Sequence, residues 1–400
     1  MKRVRWLRRG CVVVLMTVAC GVGDADEERY EPPTSDLRNE QVVENGELSE
    51  APWRIGAAPL FSVGWADGDP DFMWLHSGRI LDDGGALVGD AGVGSLFRIA
   101  SDGSVVAQWG QQGEGPGEFQ GLDAILTDGD SILVSDGRQL RVTVLSSDGE
   151  VIDTHRMRGS GLYKISSVLP DQRLLLVPGE GYGPVSEIRP EWVFESLPII
   201  AMEMGGEVAD TLVELPHLRR WYGTRGARSG PVVVKGRAAG FGEGFVWARS
   251  DEPQVHWYDS EGQLERVARW REEPVQLTSA TRDAFKDILR TTLVTAGADE
   301  GTVSRRLAEL DEGFDLHEGP IPYWRSFHVD RLGNAWLSEY TFTGQFPDRW
   351  RVVRRDGVLV GWVDLPDVVA ILDITDDRVL AVRFDEFDTP AIVMFGLLKE

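Results

Sequence analysis

Short strand patterns separated by tight turns recur along most of this chain, and this repetition limits the folds that it can adopt. Residues 87–109 read LVGDAGVGSLFRIASDGSVVAQW, and residues 132–156 read ILVSDGRQLRVTVLSSDGEVIDTHR. Both copies alternate three apolar segments with two turns, the second of which is Ser-Asp-Gly. Asp-Gly pairs favour tight hairpins because glycine adopts the positive φ that such turns require. The pattern therefore predicts antiparallel strands joined by short turns.

Related patterns return further along the chain, although the third copy is degenerate. The six units that result cover residues 72–119, 120–160, 161–216, 237–275, 322–366 and 367–398. A period of roughly 40–50 residues with few helices is typical of propeller blades. A lone four-stranded sheet cannot bury both faces, whereas blades packed in a closed ring can, and closure also protects their edges. The sequence thus predicts an all-β fold, a six-bladed β-propeller.

Two segments lie outside this repeat. Residues 52–63, PWRIGAAPLFSV, precede the first unit, and we predict that they pair with the last blade as an outer or closing strand. Residues 278–313 carry apolar side chains at helical spacing, including Phe285 and Leu289, until Gly297 interrupts the pattern. This segment predicts a helical hairpin inserted between blades four and five. We expect it to pack over one end of the ring, as a decoration or as a lid over the channel.

The first residues have the features of an export signal. Five cations precede an apolar run from Cys11 to Ala19, which is shorter than the roughly 20 residues that span a bilayer. The run ends in Thr17-Val18-Ala19-Cys20, which resembles the lipobox of bacterial lipoproteins, with Thr17 where that family usually has leucine. We predict a lipoprotein-type signal peptide over 1–19 and lipidation of Cys20. The product would be an exported, membrane-anchored protein, either periplasmic or on the cell surface.

Composition divides the rest of the chain and excludes some partners. Residues 20–50 are rich in acids and poor in bulky apolar groups, which predicts a disordered acidic tether before a propeller over 51–400. Removal of residues 1–19 would change the net charge from −24 to −29. A chain this acidic should repel nucleic acid and anionic lipids. We therefore expect the protein to contact a membrane only through the lipid on Cys20. Cys11 and Cys20 are the only cysteines, so the body has no disulfide. We expect the protein to be a monomer.

One unit resembles a known repeat family. The stretch ILVSDGRQLRVTVLSSDGEV is similar to the NHL-type repeat, which its Val134-Ser135-Asp136, Arg141-Val142-Thr143-Val144-Leu145 and Asp148-Gly149 segments match. The stretch GQQGEGPGEF, residues 110–119, resembles a linker of bacterial six-bladed β-propeller lipoproteins. The resemblance is specific over about 87–150. It implies a six-bladed propeller on an exported, lipid-anchored protein, and it implies no reaction.

The glycine-rich stretch at 110–119 raises the question of a ligand loop. It contains no lysine, and Glu114 and Glu118 would repel a phosphate, so we interpret it as a turn between blades with Phe119 as an apolar plug. Carboxylates in and after it suit Ca²⁺ but lack the spacing of an EF-hand: Glu114, Glu118, Asp123, Asp128 and Asp130. Six-bladed lactonases and related esterases hold Ca²⁺ in the channel. A Ca²⁺-dependent hydrolase of lactones or esters is therefore the alternative function.

Other catalytic patterns are weak. The six histidines are scattered singly, without HxH or HExxH spacing, and Gly-x-Ser-x-Gly is absent. His256 and His328 fall in strand patterns, where a packed neutral histidine is expected. The sequence identifies no catalytic residue, no metal ligand and no cofactor other than the Ca²⁺ of the alternative.

A non-enzymatic binding or scaffold role at the cell envelope is what the sequence favours. Propellers present loops around a channel mouth, and tyrosine, tryptophan and arginine dominate binding surfaces. The candidate ligand contacts in predicted loops are Tyr163, Lys164, Trp221, Tyr222, Trp324 and Arg325. The arginine-rich segment 218–231 is a further candidate loop for an anion or a partner. The expected ligand is a protein, a peptide or a carbohydrate.

Overall fold

The structure is a computed structural model, and it describes most of the chain after the N-terminal segment. The described residues are 41–47, 51–157, 163–179, 191–205, 208–223, 226–228, 232–317, 319–341, 347–365 and 367–399. The predicted signal peptide, Cys20 and the first part of the predicted tether lie outside them. Within the described residues, neither helix is long and apolar enough to cross a membrane.

The strands form six sheets of mostly antiparallel strands, which are the blades of a six-bladed propeller. Three strands precede the blades: β1 (Val42–Glu47), β2 (Trp53–Ile55) and β3 (Phe61–Val63). The first blade contains β4 (Leu75–Ile80), β5 (Ala86–Asp90), β6 (Ser95–Ile99) and β7 (Val105–Trp109). The second contains β8 (Leu122–Asp128), β9 (Ser131–Asp136), β10 (Arg141–Ser146) and β11 (Val151–Arg156).

The remaining blades follow in chain order. The third contains β12 (Tyr163–Val168), β13 (Leu174–Pro178), β14 (Glu191–Met202), β15 (Val208–Gly223) and β16 (Gly226–Arg228). The fourth contains β17 (Gly236–Gly240), β18 (Gly244–Arg249), β19 (Gln254–Asp259) and β20 (Leu264–Arg271). The fifth contains β21 (Phe327–Val329), β22 (Ala335–Ser338), β23 (Arg349–Val353) and β24 (Leu359–Asp364), and the sixth β25 (Val368–Ile374), β26 (Arg378–Phe384) and β27 (Pro390–Lys399).

Apolar side chains fill the junctions between neighbouring blades. One buried cluster lies at each junction around the ring. Trp247, Trp257 and Trp336 are fully buried in these clusters. Phe119 is fully buried between blades one and two, where it plugs the junction as predicted. Packing of blade on blade, without a disulfide, therefore holds the ring.

The chain closes the ring with strands from its N-terminal part. Both β2 and β3 pair antiparallel with β27, so the sixth blade takes its outer strand from residues 53–63, as predicted. Phe61 and Val63 turn inward and enter the cluster between blades six and one, whereas Ser62 between them is exposed. The sheet of the sixth blade thus combines strands from before the first blade with the last strands of the chain.

The structured chain begins earlier than the sequence predicts. Residues 42–47, placed in the disordered tether, form β1, which pairs in parallel with β20 on the outer edge of blade four. The Asn45 side chain explains why a polar segment can be ordered. Its Nδ2 donates to the Arg269 and Gly357 carbonyls at 3.1 and 2.9 Å, and its Oδ1 accepts from the Leu359 N–H at 2.9 Å. The segment therefore straps blade four to blade five.

The predicted helical hairpin lies between the fourth and fifth blades in the chain. It consists of α1 (Ser279–Thr295) and α2 (Glu300–Leu316), which begin at the caps Thr278 and Asp299. The rings of Phe285 and Phe314 pack edge to face at 5.3 Å and form a cluster with Val232. The hairpin packs on the side of the ring where the first strands of blades four and five begin, and none of its described residues lines the central channel.

The third blade differs most from the repeat. Its strands β14 and β15 form a long hairpin that continues to residue 223, past the predicted end of the unit at 216. The segment predicted as an arginine-rich loop is therefore largely strand, because Trp221 and Tyr222 pair with Arg228 and Ala227 of β16. The backbone places these two residues in the sheet, and their side chains lie outside what the structure describes.

Candidate functional site

A cavity of about 530 Å³ runs along the axis of the propeller. Its walls are the first strands of the blades, β4, β8, β12, β17, β21 and β25, together with the residues that follow them. These strands all run in the same direction, so we call the end where they begin the upper mouth and the other end the lower mouth. Side chains tie them together: Ser77 Oγ donates to the Leu122 carbonyl at 3.3 Å, and Ser166 Oγ accepts from the Gly240 N–H at 2.8 Å.

The first strands are bulged near the upper mouth. In β4 the pairing register shifts between Leu75 and Ser77, which makes His76 the extra residue. In β8 it shifts in the same way between Leu122 and Ala124, which makes Asp123 the extra residue. Bulges redirect side chains and are frequent next to binding sites. Here they place His76 and Asp123, from adjacent blades, in the wall of the cavity.

Lys164, at the start of β12, completes a charged group at this mouth. The three side chains lie close enough for their charges to act on one another. Burial lowers the pKa of His76, and Lys164 lowers it further, while Asp123 and Asp90 act in the opposite direction. Burial raises the pKa of Asp123, against the opposing effects of Lys164 and of a hydrogen bond from Gly137. The upper mouth thus holds a neutral imidazole, a carboxylate and an ammonium group on three successive blades.

Gly137 allows the Asp123 carboxylate to sit where it does. A Cβ at position 137 would lie 1.8 Å from Asp123 Oδ2, which is far inside contact distance. The backbone turn after β9 therefore approaches the carboxylate from behind.

A second charged group lies toward the lower mouth. Asp373 on β25 accepts from the Ile80 N–H at 2.8 Å and pairs with Arg79 at 3.5 Å and with Arg331, whose Nε is at 3.4 Å. Asp373 itself is almost completely buried, while the two guanidinium groups reach the cavity. Blades one, five and six are therefore joined through one carboxylate. Two arginines share this carboxylate, and Asp128 and Asp330 also line this end of the cavity.

His328 on β21 lies in the same wall. Burial lowers its pKa to about 4, and Asp373 opposes that shift while Arg79 adds to it. His256, the other strand histidine, is fully buried inside blade four, and burial lowers its pKa to about 3. Both are neutral at pH 7, as predicted, but His328 lines the channel.

The predicted contact residues have different fates. Tyr163 and Lys164 lie side by side at the start of β12 by the upper mouth, and burial raises the pKa of Tyr163 to about 12. The prediction is wrong for Trp324, which is fully buried in the cluster between blades four and five and cannot reach a ligand. Arg325 is half-buried, and its Nη1 donates to the Thr341 carbonyl at 2.9 Å. The side chains of Trp221 and Tyr222 lie outside the described structure.

Sequence reasoning named Lys164 as a ligand contact and Asp123 as one of five carboxylates that suit Ca²⁺, but it missed the other charged residues of the channel. His76 was only one of six scattered histidines, and neither mouth was assigned from sequence. The sequence does contain an indication of the channel, because each of its charged residues falls within the first strand of a unit or directly after it: His76, Arg79, Asp123, Lys164, Arg331 and Asp373. Among the residues that the structure describes, no group of three or more His, Cys, Asp or Glu is arranged to hold a metal ion.

The glycine-rich stretch is a turn between blades one and two, as predicted. Gly110 and Gly117 have φ of 83° and 74°, values that favour glycine. Glu118 closes the turn on itself, because its carboxylate accepts from the Gly115 N–H at 2.8 Å and from Gln111 Nε2 at 2.7 Å. Arg141 then binds the carbonyls of the turn, including that of Gly115 at 2.8 Å. The Glu118 carboxylate thus stabilises the turn.

Comparison with known proteins identifies the fold. The sequence matches no family model and no curated protein. A predicted exported protein of Bacteroides fragilis has a similar structure, with a TM-score of 0.52 and 14% identity over 90% of this chain and 99% of that chain. A member of the DUF4221 family from Bacteroides vulgatus gives 0.45 and 11% over 87% and 99%. Virginiamycin B lyase from Staphylococcus aureus gives 0.39 and 10% over 81% and 80%. At such identities the likeness shows the propeller fold alone.

Proposed function

We propose that this chain is an exported, non-enzymatic binding protein whose ligand occupies the upper part of the central channel. The observation that supports this most is that His76 and Asp123, from two adjacent blades, line the mouth of the cavity, and that Lys164 of the next blade lies close enough to act on both through its charge. Cavities of about 300–1,000 Å³ are typical of sites for small molecules. The volume of about 530 Å³ therefore suits a small molecule or the end of a peptide or sugar chain.

The chemistry of the mouth narrows the ligand to a polar one. Lys164 is exposed and offers an ammonium group, Asp123 offers acceptor oxygens, and neutral His76 can both donate and accept. A ligand that matches them carries an anionic or strongly accepting group together with hydroxyl or amino donors. Short peptides and acidic sugars fit this description.

The test is a ligand screen on the full-length protein. Amino acids, di- and tripeptides, and neutral and acidic sugars would be added singly while thermal unfolding is followed. We expect at least one of these classes to raise the midpoint, and we expect Lys164→Met and Asp123→Asn to abolish that rise. Asp148→Asn, in the exposed turn before β11, is the matched control and should retain it.

Two results would contradict the proposal. One is a ligand whose effect survives both channel substitutions, because it would then bind elsewhere. The other is turnover of an ester or lactone that requires added Ca²⁺ and is lost in the Asp123→Asn protein, which would support the hydrolase instead. The same samples can be assayed for both.

We further propose that Cys20 anchors the protein to a membrane through a lipid. The support is the signal-like segment before it, together with an acidic body that has no evident affinity for anionic lipids. In cells that export the full chain, Cys20→Ala should move the protein from the membrane fraction to the soluble fraction. Cys11→Ala, inside the apolar run, is the control and should leave it membrane-bound. An unchanged distribution of the Cys20→Ala protein would rule the anchor out.

A further inference from the structure

A patch of exposed apolar side chains lies at the upper end of the ring, where blades six and one meet. It comes from two segments: residues 64–74, which link β3 to β4, and residues 385–389, the turn between β26 and β27. The four side chains are all exposed, and we call them the upper patch: Trp65, Met73, Trp74 and Phe387. Among the described lining residues of the channel, none belongs to this patch.

The two segments are held against each other. Trp65 Nε1 donates to the Thr389 carbonyl at 3.0 Å, which ties this indole to the turn of blade six. Phe72 is buried and packs on Gly64 so closely that a Cβ there would lie 3.0 Å from its ring. Because Trp65 follows Gly64 and Met73 follows Phe72, both ends of the linking segment contribute to one surface.

Two carboxylates hold the backbone of the patch in place. Asp69 accepts from the Trp65 N–H at 3.1 Å and from the N–H groups on either side of it at 2.7 and 2.9 Å. Asp90 is fully buried and accepts from the N–H groups of Met73 and Trp74 at 2.7 and 2.8 Å. The exposed rings are thus carried on an ordered backbone, and a surface that is ordered in advance loses less conformational entropy when it binds.

Acidic side chains surround the apolar ones. Neither segment contains a lysine or an arginine, and both contribute carboxylates next to the exposed rings: Asp67, Asp71, Glu386 and Asp388. The ring centroid of His76 lies 6.2 Å from that of Trp74, but this histidine adds no charge at pH 7 because burial lowers its pKa. The upper patch therefore has an aromatic centre and an anionic rim.

The composition of the patch indicates what it binds. Interfaces between proteins are rich in tryptophan, phenylalanine and methionine at the centre and polar at the rim, and tryptophan is prominent among the residues that dominate binding energy. Lysine and arginine side chains can pair with the acids of the rim and also stack on the indoles. A second copy of this chain would instead bring the same acids together, which is unfavourable.

We propose that the upper patch binds a cationic polypeptide segment in which arginine or lysine side chains alternate with apolar ones. The apolar side chains lie against Trp65, Trp74 and Phe387, and the cations lie between these rings and the carboxylates of the rim. The site does not depend on a ligand in the channel. Because Trp74 lies next to His76, a segment bound to the patch lies beside the channel opening.

The test uses three synthetic octapeptides as probes of the full-length protein, with alternating arginine and leucine, arginine and serine, or glutamate and leucine. Calorimetry at low ionic strength follows binding. We expect the arginine–leucine peptide to bind roughly tenfold more tightly than the arginine–serine peptide, because only the former covers the apolar centre. The glutamate–leucine peptide should not bind, and added salt should weaken the arginine–leucine peptide severalfold.

Variants of the exposed side chains locate the site without disturbing the fold. Trp74→Ala and Phe387→Ala keep the backbone hydrogen bonds of the patch, and each should weaken the arginine–leucine peptide roughly tenfold. Ile152→Ala, at an exposed apolar position of β11, is the matched control and should not change binding. The double variant Asp67→Asn, Glu386→Gln should weaken the peptide about threefold.

The charge control is the double variant Asp148→Asn, Glu150→Gln, at two exposed acids of blade two, and it should bind the peptide normally. Failure of the arginine–leucine peptide to bind would overturn the proposal, and so would binding that the variants of the patch leave unchanged. Equal binding of the glutamate–leucine peptide would also overturn it. Binding of glucose without the peptide, or a dimer in sedimentation, would do the same if Trp74→Ala abolished it, in favour of a sugar site or of an interface between copies.

Discussion

At the scale of single residues, Asp373 carries more of the structure than any other carboxylate of the channel. It lies on blade six and is the shared acceptor for Arg79 and the Ile80 N–H of blade one and for Arg331 of blade five. When one member of a buried charged group is removed, the others are left without compensation, and this costs about 3–5 kcal/mol. The two arginines keep some contact with solvent, which moderates that cost.

We therefore expect Asp373→Asn to lower the free energy of unfolding by about 3 kcal/mol. The amide is close in shape to the carboxylate but cannot balance two guanidinium groups. Urea unfolding followed by circular dichroism measures the change. Asp148→Asn, which is exposed, should stay within about 0.5 kcal/mol of the native protein. Equal stability of the two variants would mean that Asp373 does not hold the blades together.

His256 predicts how stability depends on pH. It lies inside blade four, with its ring centroid 5.0 Å from that of Trp247 and 6.5 Å from that of Tyr258. Burial lowers its pKa to about 3, and Arg269 and Arg249 add to this effect. In the unfolded chain the pKa is about 6.5, so below that pH the unfolded state binds a proton that the folded state does not. Stability is then lost as the pH falls from about 6.5 toward 3, by about 1.4 kcal/mol per pH unit.

At pH 5 this residue should therefore reduce the free energy of unfolding by about 2 kcal/mol relative to pH 7.5. Urea unfolding at the two pH values gives the difference directly. His256→Leu should reduce the difference, and His155→Gln, on the outer strand β11, should leave it as it is. His328 acts in the same direction, so a part of the dependence will persist in the His256→Leu protein.

At the scale of strands and helices, local patterns were sufficient where partners are close in sequence. Hairpins joined by Asp-Gly turns, the two capped helices and the glycine-rich turn were all predictable, because their hydrogen bonds join residues only a few positions apart. β1 was not predictable for the opposite reason. Asn45 finds its partners 224 and 312 residues further along the chain, and its segment looks like a tether when read alone.

The channel site could not be predicted from the sequence for the same reason, because its residues are far apart in the chain. His76, Asp123 and Lys164 belong to three different units, and which side chains reach the channel depends on the bulges in β4 and β8. Along a regular strand, side chains point alternately toward and away from one face. Each bulge shifts this alternation by one position, so the sequence pattern alone does not show which residues face the channel. Trp324 shows the converse error, since an aromatic residue in a predicted loop turned out to lie in the core.

The Asn45 strap gives a prediction at this scale. Asn45→Ala would leave the Gly357 carbonyl and the Leu359 N–H without their partner, and each such group costs about 1–3 kcal/mol where it is shielded from water. Because the segment is half-buried, we expect a loss of about 2 kcal/mol in the free energy of unfolding. Limited proteolysis should also cut near residue 45 sooner. Glu47→Gln, whose side chain is exposed, should change neither; equal behaviour of the two variants would show that Asn45 does not hold blades four and five together.

At the scale of the whole molecule, the stability of the propeller depends on the seam, the junction between blades six and one where the ring closes. Each blade buries its faces only against its two neighbours, so a gap at one junction exposes apolar surface on both sides. The seam between blades six and one depends on β3, which comes from the opposite end of the chain from β27. Since no disulfide supports it, the junction relies on non-covalent contacts, among them the apolar contacts of Phe61 and Val63.

We accordingly expect Val63→Asp to destabilise the entire propeller, because it puts an unpaired carboxylate into the cluster at the seam. The cost should be about 3 kcal/mol or more, from lost apolar burial and the buried charge together. Ser62→Asp is the matched control, since the neighbouring side chain on the same strand faces solvent, and it should change stability by less than about 0.5 kcal/mol.

Hydrogen exchange on the Val63→Asp protein separates a global effect from a local one. If closure makes the ring cooperative, amides of β18 and β19, on the far side of the ring, will lose protection together with those of β27. Loss of protection confined to β3, β4 and β27 would show that blades open independently and that the ring does not unfold as one unit.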